Sequence, residues 1–250
     1  MGEAAGRTLI DVHSDTYHHR SVYTLAGGQE ELERAALSLS LRAIELIDLS
    51  SHHGIHPRLG VVDVVPFVPL ERRSGPERFS AALASRERFA TELAAVGVPC
   101  FFYGVERALP EVRKRAFSDL FPDRGPLVAH PTAGACCVGV RDFLVAYNLV
   151  VKAPLERARE IASRIRRPEV RALGLDLGGE SQVSCNLVVP ELIGPDQVFD
   201  EVSELAPVLR AELVGLVPRA VLERISPSRW SELDLSEDRT IEVALSARGL

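Results

Sequence analysis

The run VVDVVPFVPL, residues 61–70, constrains the fold of this chain more than any other segment. It is almost wholly apolar and shows no alternation of polar and apolar positions, so it predicts a strand covered on both faces. Pro66 and Pro69 are expected to cap it and bend its exit, because proline donates nothing to a sheet ladder. Such a strand needs helices to cover it, and the flanking sequence supplies two. QEELERAALSLSLRAIELIDL (29–49) has apolar residues at Leu32, Ala36, Leu39, Ala43 and Leu46, one stripe of an amphipathic helix. Residues 75–96 place Phe79, Leu83, Phe89, Leu93 and Val96 on one face of a second. RTLIDV (7–12), SVYTLA (21–26) and PCFFYG (99–104) read as further strands. The resulting β–β–α–β–α–β order predicts an α+β layer with mixed pairing.

Residues 105–135 break this grammar, with a charged, proline-bearing stretch that runs into LVAHPTAGA and predicts a long irregular loop. The pattern then restarts. Strands are expected at 142–151, in VRALGLDL and QVSCNLVV (joined through Gly178-Gly179), and at 212–218. Helices are expected at 155–165, around 195–209, and in RAVLERI. The fold class expected is therefore α/β (α+β-like), with subdomains 1–140 and 141–250. Each is a mixed β-sheet with helices packed on it, with a ligand cleft between them.

At 250 residues with a formal net charge of −6, the chain lacks the basic surface that nucleic-acid binding requires. It has no apolar run of membrane-spanning length, and MGEAAGRTLIDV has neither the basic nor the apolar region of a secretory signal. Cys100, Cys136, Cys137 and Cys185 match no zinc framework and read as reduced thiols, which points to the cytoplasm.

Six of the seven histidines lie between positions 13 and 56. As metal ligands they fail on spacing. His52 and His56 stand four apart, but Gly54 and Pro57 interrupt any helix there, and no HExxH or third carboxylate accompanies them, so no metal is expected. Proton transfer suits them better, since an imidazole titrates near neutrality. Pro57 pushes His56 out of the helical region and fixes its backbone, and Arg58 offers a fork of donors suited to a carboxylate. The loop Gly125, Pro126, Leu127, Val128, Ala129, His130, Pro131, Thr132, Ala133, Gly134 has little side-chain charge; it is either a ligand-binding loop or a surface connection that needs glycine for its turns. Cys136, Cys137 and Ser184 lack an evident base and are set aside as nucleophiles.

The string HPRLG–x–x–D–x–x–PF–x–P, following RSVYTLAG and the helix, resembles the glutamate formiminotransferase family. The similarity continues through YG at 103–104, GPLVAHPTAGACCVGVRDFLVAYNL, QVSCNL and LVGLVP, over roughly residues 8–250. The resemblance implies N- and C-terminal formiminotransferase subdomains. It implies transfer of a formimino group between N-formimino-L-glutamate and tetrahydrofolate, in histidine breakdown. His56 would be the catalytic histidine and Gly125–Gly134 the folate-contacting loop, with tetrahydrofolate as co-substrate and small molecules as the partners. A homodimer is left open.

Three departures accompany the resemblance. The NFSEG-like motif that opens the family's pattern is not in the chain. Ile55 stands where the family has an acidic residue before its histidine. His13 stands where an acidic partner of that histidine is usual, with Asp15 two residues on as a substitute, and His19 replaces an amide-bearing residue. The alternative they raise is a divergent folate- or ligand-binding paralogue with changed or lost activity. A metal-dependent hydrolase built on the histidines is a third reading.

Overall fold

The computed structural model describes residues 2–55, 57–70 and 76–250. Its strands in chain order are β1 (Leu9–Asp15), β2 (Arg20–Leu25), β3 (Val64–Phe67), β4 (Cys100–Tyr103), β5 (Cys136–Val140), β6 (Val145–Val151), β7 (Val170–Asp176), β8 (Ser181–Leu187) and β9 (Val208–Val214). The helices are α1 (Gln29–Leu46), α2 (Ser80–Ala95), α3 (Leu109–Arg115), α4 (Leu155–Ile165), α5 (Pro195–Ser203), α6 (Arg219–Leu222) and α7 (Ile241–Ala247). The chain divides into two units: Met1–Leu9 with Leu25–Asp142, and Ile10–Thr24 with Phe143–Leu250. The α/β character with helices on sheets is as expected, but each sheet is uniform in its pairing. The mixture lies between the units, one parallel and one antiparallel.

In the first unit the strand order is β3-β5-β4, all parallel. The strands covered on both faces are the central β5, CCVGV, and β4, CFFY, every residue of which is buried. The run at 61–70 supplies only β3, an edge strand of intermediate exposure. Pro66 lies inside it, beside Gly139, rather than capping it; an edge strand tolerates the missing donor. The first core packs Phe89, Ala90 and Leu93 of α2 against Phe67, Cys100, Phe102, Cys136 and Val138. Helix α1 ends at Leu46, short of the predicted residue 49, and Leu46 is half exposed while Ala35, Ala36 and Ser40 are buried. These small residues form the buried face of α1. Within the expected irregular segment, α3 forms, with basic Arg113, Lys114 and Arg115 in its last turn where the helix dipole favours them.

In the second unit the order is β7-β8-β6-β9, all antiparallel. The alternating residues Val145, Tyr147, Leu149 and Val151 of β6 face a core shared with Ala158, Ile161, Ala162 and Ile165 of α4. Each large side chain fully buried there contributes about 1.5–3 kcal/mol. The buried Tyr147 hydroxyl donates to the Leu233 carbonyl at 3.0 Å, which keeps its burial from leaving a polar group unpaired. Helix α5 is shorter than predicted, and β9 begins four residues before the predicted strand, because Val208 and Ala211 pack against this core in extended conformation. Asn148, Gln182, Ser184 and Glu212 alternate with the core positions and give the sheet a second, polar face. The β1–β2 hairpin belongs with this unit. Its turn is held by Asp15, whose Oδ1 accepts from the His18 backbone N–H at 2.6 Å.

Candidate functional site

Two loops of the first unit are zipped together along their backbones. Ala135 N–H donates to the Leu59 carbonyl and Val61 N–H to the Ala133 carbonyl, both at 2.9 Å; Leu49 N–H donates to the Thr132 carbonyl at 2.8 Å. The approach is so close that Gly60 and Gly134 admit no side chain. A Cβ on Gly60 would stand 2.2 Å from the Ala135 carbonyl oxygen, and one on Gly134 2.2 Å from that of Leu59. The segment after position 56 is thus fixed against the end of the loop 125–134. Asp63 clamps it from the other side. Its Oδ1 accepts from Leu59 N–H at 2.7 Å, and its Oδ2 from Arg113 at 2.5 Å, while Arg113 also donates to the Pro57 carbonyl at 2.7 Å. His56 itself lies outside the described residues.

Arg58 reaches an imidazole: its Nη1 donates to His52 Nδ1. A guanidinium can only donate, so that ring nitrogen carries the lone pair. In the loop 125–134, Leu127 and Val128 are largely exposed, while His130 organises its end. The ring Nδ1 of His130 accepts from Ala133 N–H at 3.0 Å and Thr132 N–H at 3.3 Å, and residues 130 and 134 exchange two backbone bonds.

The other expected site residues, His13 and Asp15, lie in the second unit on one face of β1. His13 Nε2 stands 3.3 Å from Glu212 Oε1, and Glu212 Oε2 accepts from Asn148 Nδ2 at 2.8 Å. Asp15 pairs instead with the fully buried His18, whose Nδ1 is 3.0 Å from Asp15 Oδ1. Partial burial works to raise the Asp15 pKa, but the hydrogen bonds from His18 outweigh it and hold the carboxyl below its ordinary value. His13 and Asp15 therefore have different partners, and Asp15 is committed to its own turn.

Glu212, Asn148, Asp63 and Arg113 were not singled out from sequence as site residues. For Asn148 a signal existed, an amide inside the apolar run of β6; for Arg113 none did, because its partners lie 50 and 56 residues away. The cysteines are free and buried. Burial pushes the Cys137 and Cys185 thiols up to about 12 and raises Cys136 as well, so these three are poor sources of thiolate near neutral pH. Among the described residues no group of three or more His, Cys, Asp or Glu side chains is placed to hold a metal ion, and no helix is long and apolar enough to cross a membrane.

The sequence profile of the formiminotransferase domain, N-terminal subdomain, matches residues 1–141. Formimidoyltransferase-cyclodeaminase of Sus scrofa is 35% identical over 257 residues, which takes in 89% of this chain and 47% of that protein. Glutamate formimidoyltransferase of Streptococcus pyogenes serotype M1 is 35% identical over 245 residues, 87% of this chain and 81% of the relative. The protein of the same description from Thermoplasma acidophilum is 31% identical, with 86% and 79% covered. The chain spans about half the length of the Sus scrofa and Gallus gallus relatives, 47% and 52%. With the profile covering more than half of the chain and relatives matched over most of their own length, this chain belongs to the formiminotransferase family.

Proposed function

We propose that this chain transfers a formimino group between N-formimino-L-glutamate and tetrahydrofolate, with His56 as general base and then acid. In this reading residues 1–140 and 141–250 are its N- and C-terminal formiminotransferase subdomains, and the loop Gly125–Gly134 contacts the folate. The observation that carries the reading is the backbone zipper between residues 59–61 and 133–135, which joins the stretch following His56 to that loop. The chemistry asks for little else. An amine attacks the amidine carbon to give a tetrahedral intermediate, and its collapse requires one nitrogen to lose a proton and the other to gain one. An imidazole near its titration point performs both steps.

A second reading, ligand binding with changed or lost turnover, is favoured by one observation: the position of the usual acidic partner carries His13, engaged by Glu212. Tetrahydrofolate-dependent turnover of N-formimino-L-glutamate, wild type beside His56→Ala, decides between them. The first reading expects wild-type turnover and a loss of about a hundred- to ten-thousand-fold in the variant. Folate binding by calorimetry without wild-type turnover would replace it with the second.

A further inference from the structure

The stretch that follows His56 is gripped by a side chain from α3. Arg113, in the last turn of that helix, places its two terminal nitrogens on different partners. Nη2 donates to Asp63 Oδ2 at 2.5 Å, and Nη1 donates to the Pro57 carbonyl at 2.7 Å. These partners differ in what holds them. Asp63 belongs to the sheet: its own carbonyl accepts from Cys137 N–H at 2.9 Å, where the β3–β5 ladder begins. Helix α3 is seated on the same sheet, because the fully buried Val112 packs with Phe101, Tyr103 and Cys137. Pro57, by contrast, is exposed. One prong of the guanidinium fork stands on the frame and the other on the loop, so Arg113 carries the geometry of the sheet to the loop.

The point it grips is one peptide unit beyond His56. The pyrrolidine ring fixes φ of Pro57, which leaves ψ of Pro57 as the soft torsion between the His56–Pro57 bond and the rest of the loop. The carbonyl oxygen of Pro57 moves with that torsion, so a hydrogen bond on the oxygen holds it. The backbone zipper to residues 133–135 begins at Leu59, two residues further on. A planar fork meets a carbonyl and a carboxylate in two fixed directions; a lysine keeps the charge opposite Asp63 but lacks the fork.

We propose that Arg113 is a positioning residue for the transfer step: braced on Asp63, it holds the Pro57 carbonyl and so sets the direction from which His56 is presented. This deepens the proposed function and rests on it for the role of His56. Arg113 acts through the backbone and not on a substrate, so its signature is a loss of kcat with KM kept.

The test compares Arg113→Lys with wild type in tetrahydrofolate-dependent turnover of N-formimino-L-glutamate. kcat should fall about ten- to a hundredfold, with KM for both substrates within about twofold of wild type. Arg113→Ala should lose at least as much, and about 0.05 M guanidinium, well below denaturing concentrations, should restore part of it. Arg115→Lys, in the same turn but paired with Glu111 and Asp119 at the surface, should leave kcat unchanged. The backbone readout is the amide order parameter of Arg58, whose N–H shares a peptide plane with the Pro57 carbonyl. It should be about 0.85 in wild type and drop below about 0.6 in Arg113→Lys. A lowered thermal midpoint with kcat unchanged in both Arg113 variants would make the contact merely structural and overturn the proposal. A loss of kcat with the Arg58 amide as rigid as in wild type overturns it too. Absence of wild-type turnover is a different failure: it overturns the transfer reading, and the positioning role falls with it.

Discussion

The two units solve the same problem, covering a sheet, by opposite means. In the second, an antiparallel sheet turns alternate residues toward α4 and the core, and the pattern of one strand is nearly sufficient to show which face is buried. In the first, a parallel sheet of short strands is completed by backbones that touch without side chains between them, at Gly60 and Gly134. Antiparallel strands join locally, whereas parallel strands need long crossovers, so the first unit depends on contacts between residues distant in sequence. The motif-bearing loops lie where those distant contacts converge. The second unit also excludes a side chain at one approach, Gly174 against the backbone of Arg159 in α4, but in the first unit the exclusion falls on the motif-bearing loops themselves.

The largest expected effect separates these modes. Gly60→Ala puts a methyl group 2.2 Å from one carbonyl oxygen and 2.7 Å from another, both backbone atoms that cannot swing aside. The loss in stability by urea unfolding should exceed about 4 kcal/mol, in the range reserved for severe core defects. Gly178→Ala, in the β7–β8 turn, meets nothing within 4 Å and suffers only from its φ of +78°, for a cost of about 1 kcal/mol. Equal losses at the two positions would end the distinction.

The same contrast governs what was legible in the sequence. Helix α4 is read from its apolar stripe to the residue, and the β7–β8 hairpin from its glycine pair, because both are local patterns with one buried face. Strand β5 was missed: CCVGV is buried on both faces, shows no period, and follows directly on a glycine-rich loop. The apolar run at 61–70 drew the assignment that belonged to β5, since length and composition do not say which of two apolar segments is central. At the site, position and residue type pointed to His13 and Arg58, but their partners Glu212 and His52 are decided by side-chain geometry that no spacing encodes.

Asp63 is the next test of the first unit. It accepts from a backbone amide and from Arg113, in a half-buried site with side-chain exposures of 19% and 21%. Asp63→Asn keeps an acceptor for Leu59 and removes the charge that Arg113 answers, so a loss of about 2 kcal/mol is expected. Folate affinity measured in the same variant should fall with it if the clamp positions the loop through Gly60 and Gly134. A stable variant with unchanged affinity would show that the zipper alone suffices. His130 is smaller in effect. His130→Ala removes the acceptor for two loop amides and should cost about 1 kcal/mol, whereas the Oδ1 of His130→Asn replaces Nδ1 and should recover most of that.

The smallest effect is the most selective, because it depends on pH. Helices α1 and α2 are joined through Glu33, which accepts from Arg88 at 2.6 and 2.8 Å and from the Ser85 hydroxyl at 2.7 Å; α4 is held by apolar residues alone on its buried face. The Arg88 hydrogen bonds chiefly, with that of Ser85, pull the Glu33 carboxyl down to about 2 from an ordinary 4.5. A depressed folded value means that the folded state favours the ionised form. The contribution is therefore complete above about pH 4.5 and is lost as the pH falls towards about 2. Glu33→Gln should be less stable than wild type at pH 7, with the gap closing across that interval. Because Arg88 is half exposed, added salt should shrink the gap at neutral pH too. A gap that stays constant from pH 7 to pH 3 would mean that Glu33 joins the helices by packing and neutral hydrogen bonds.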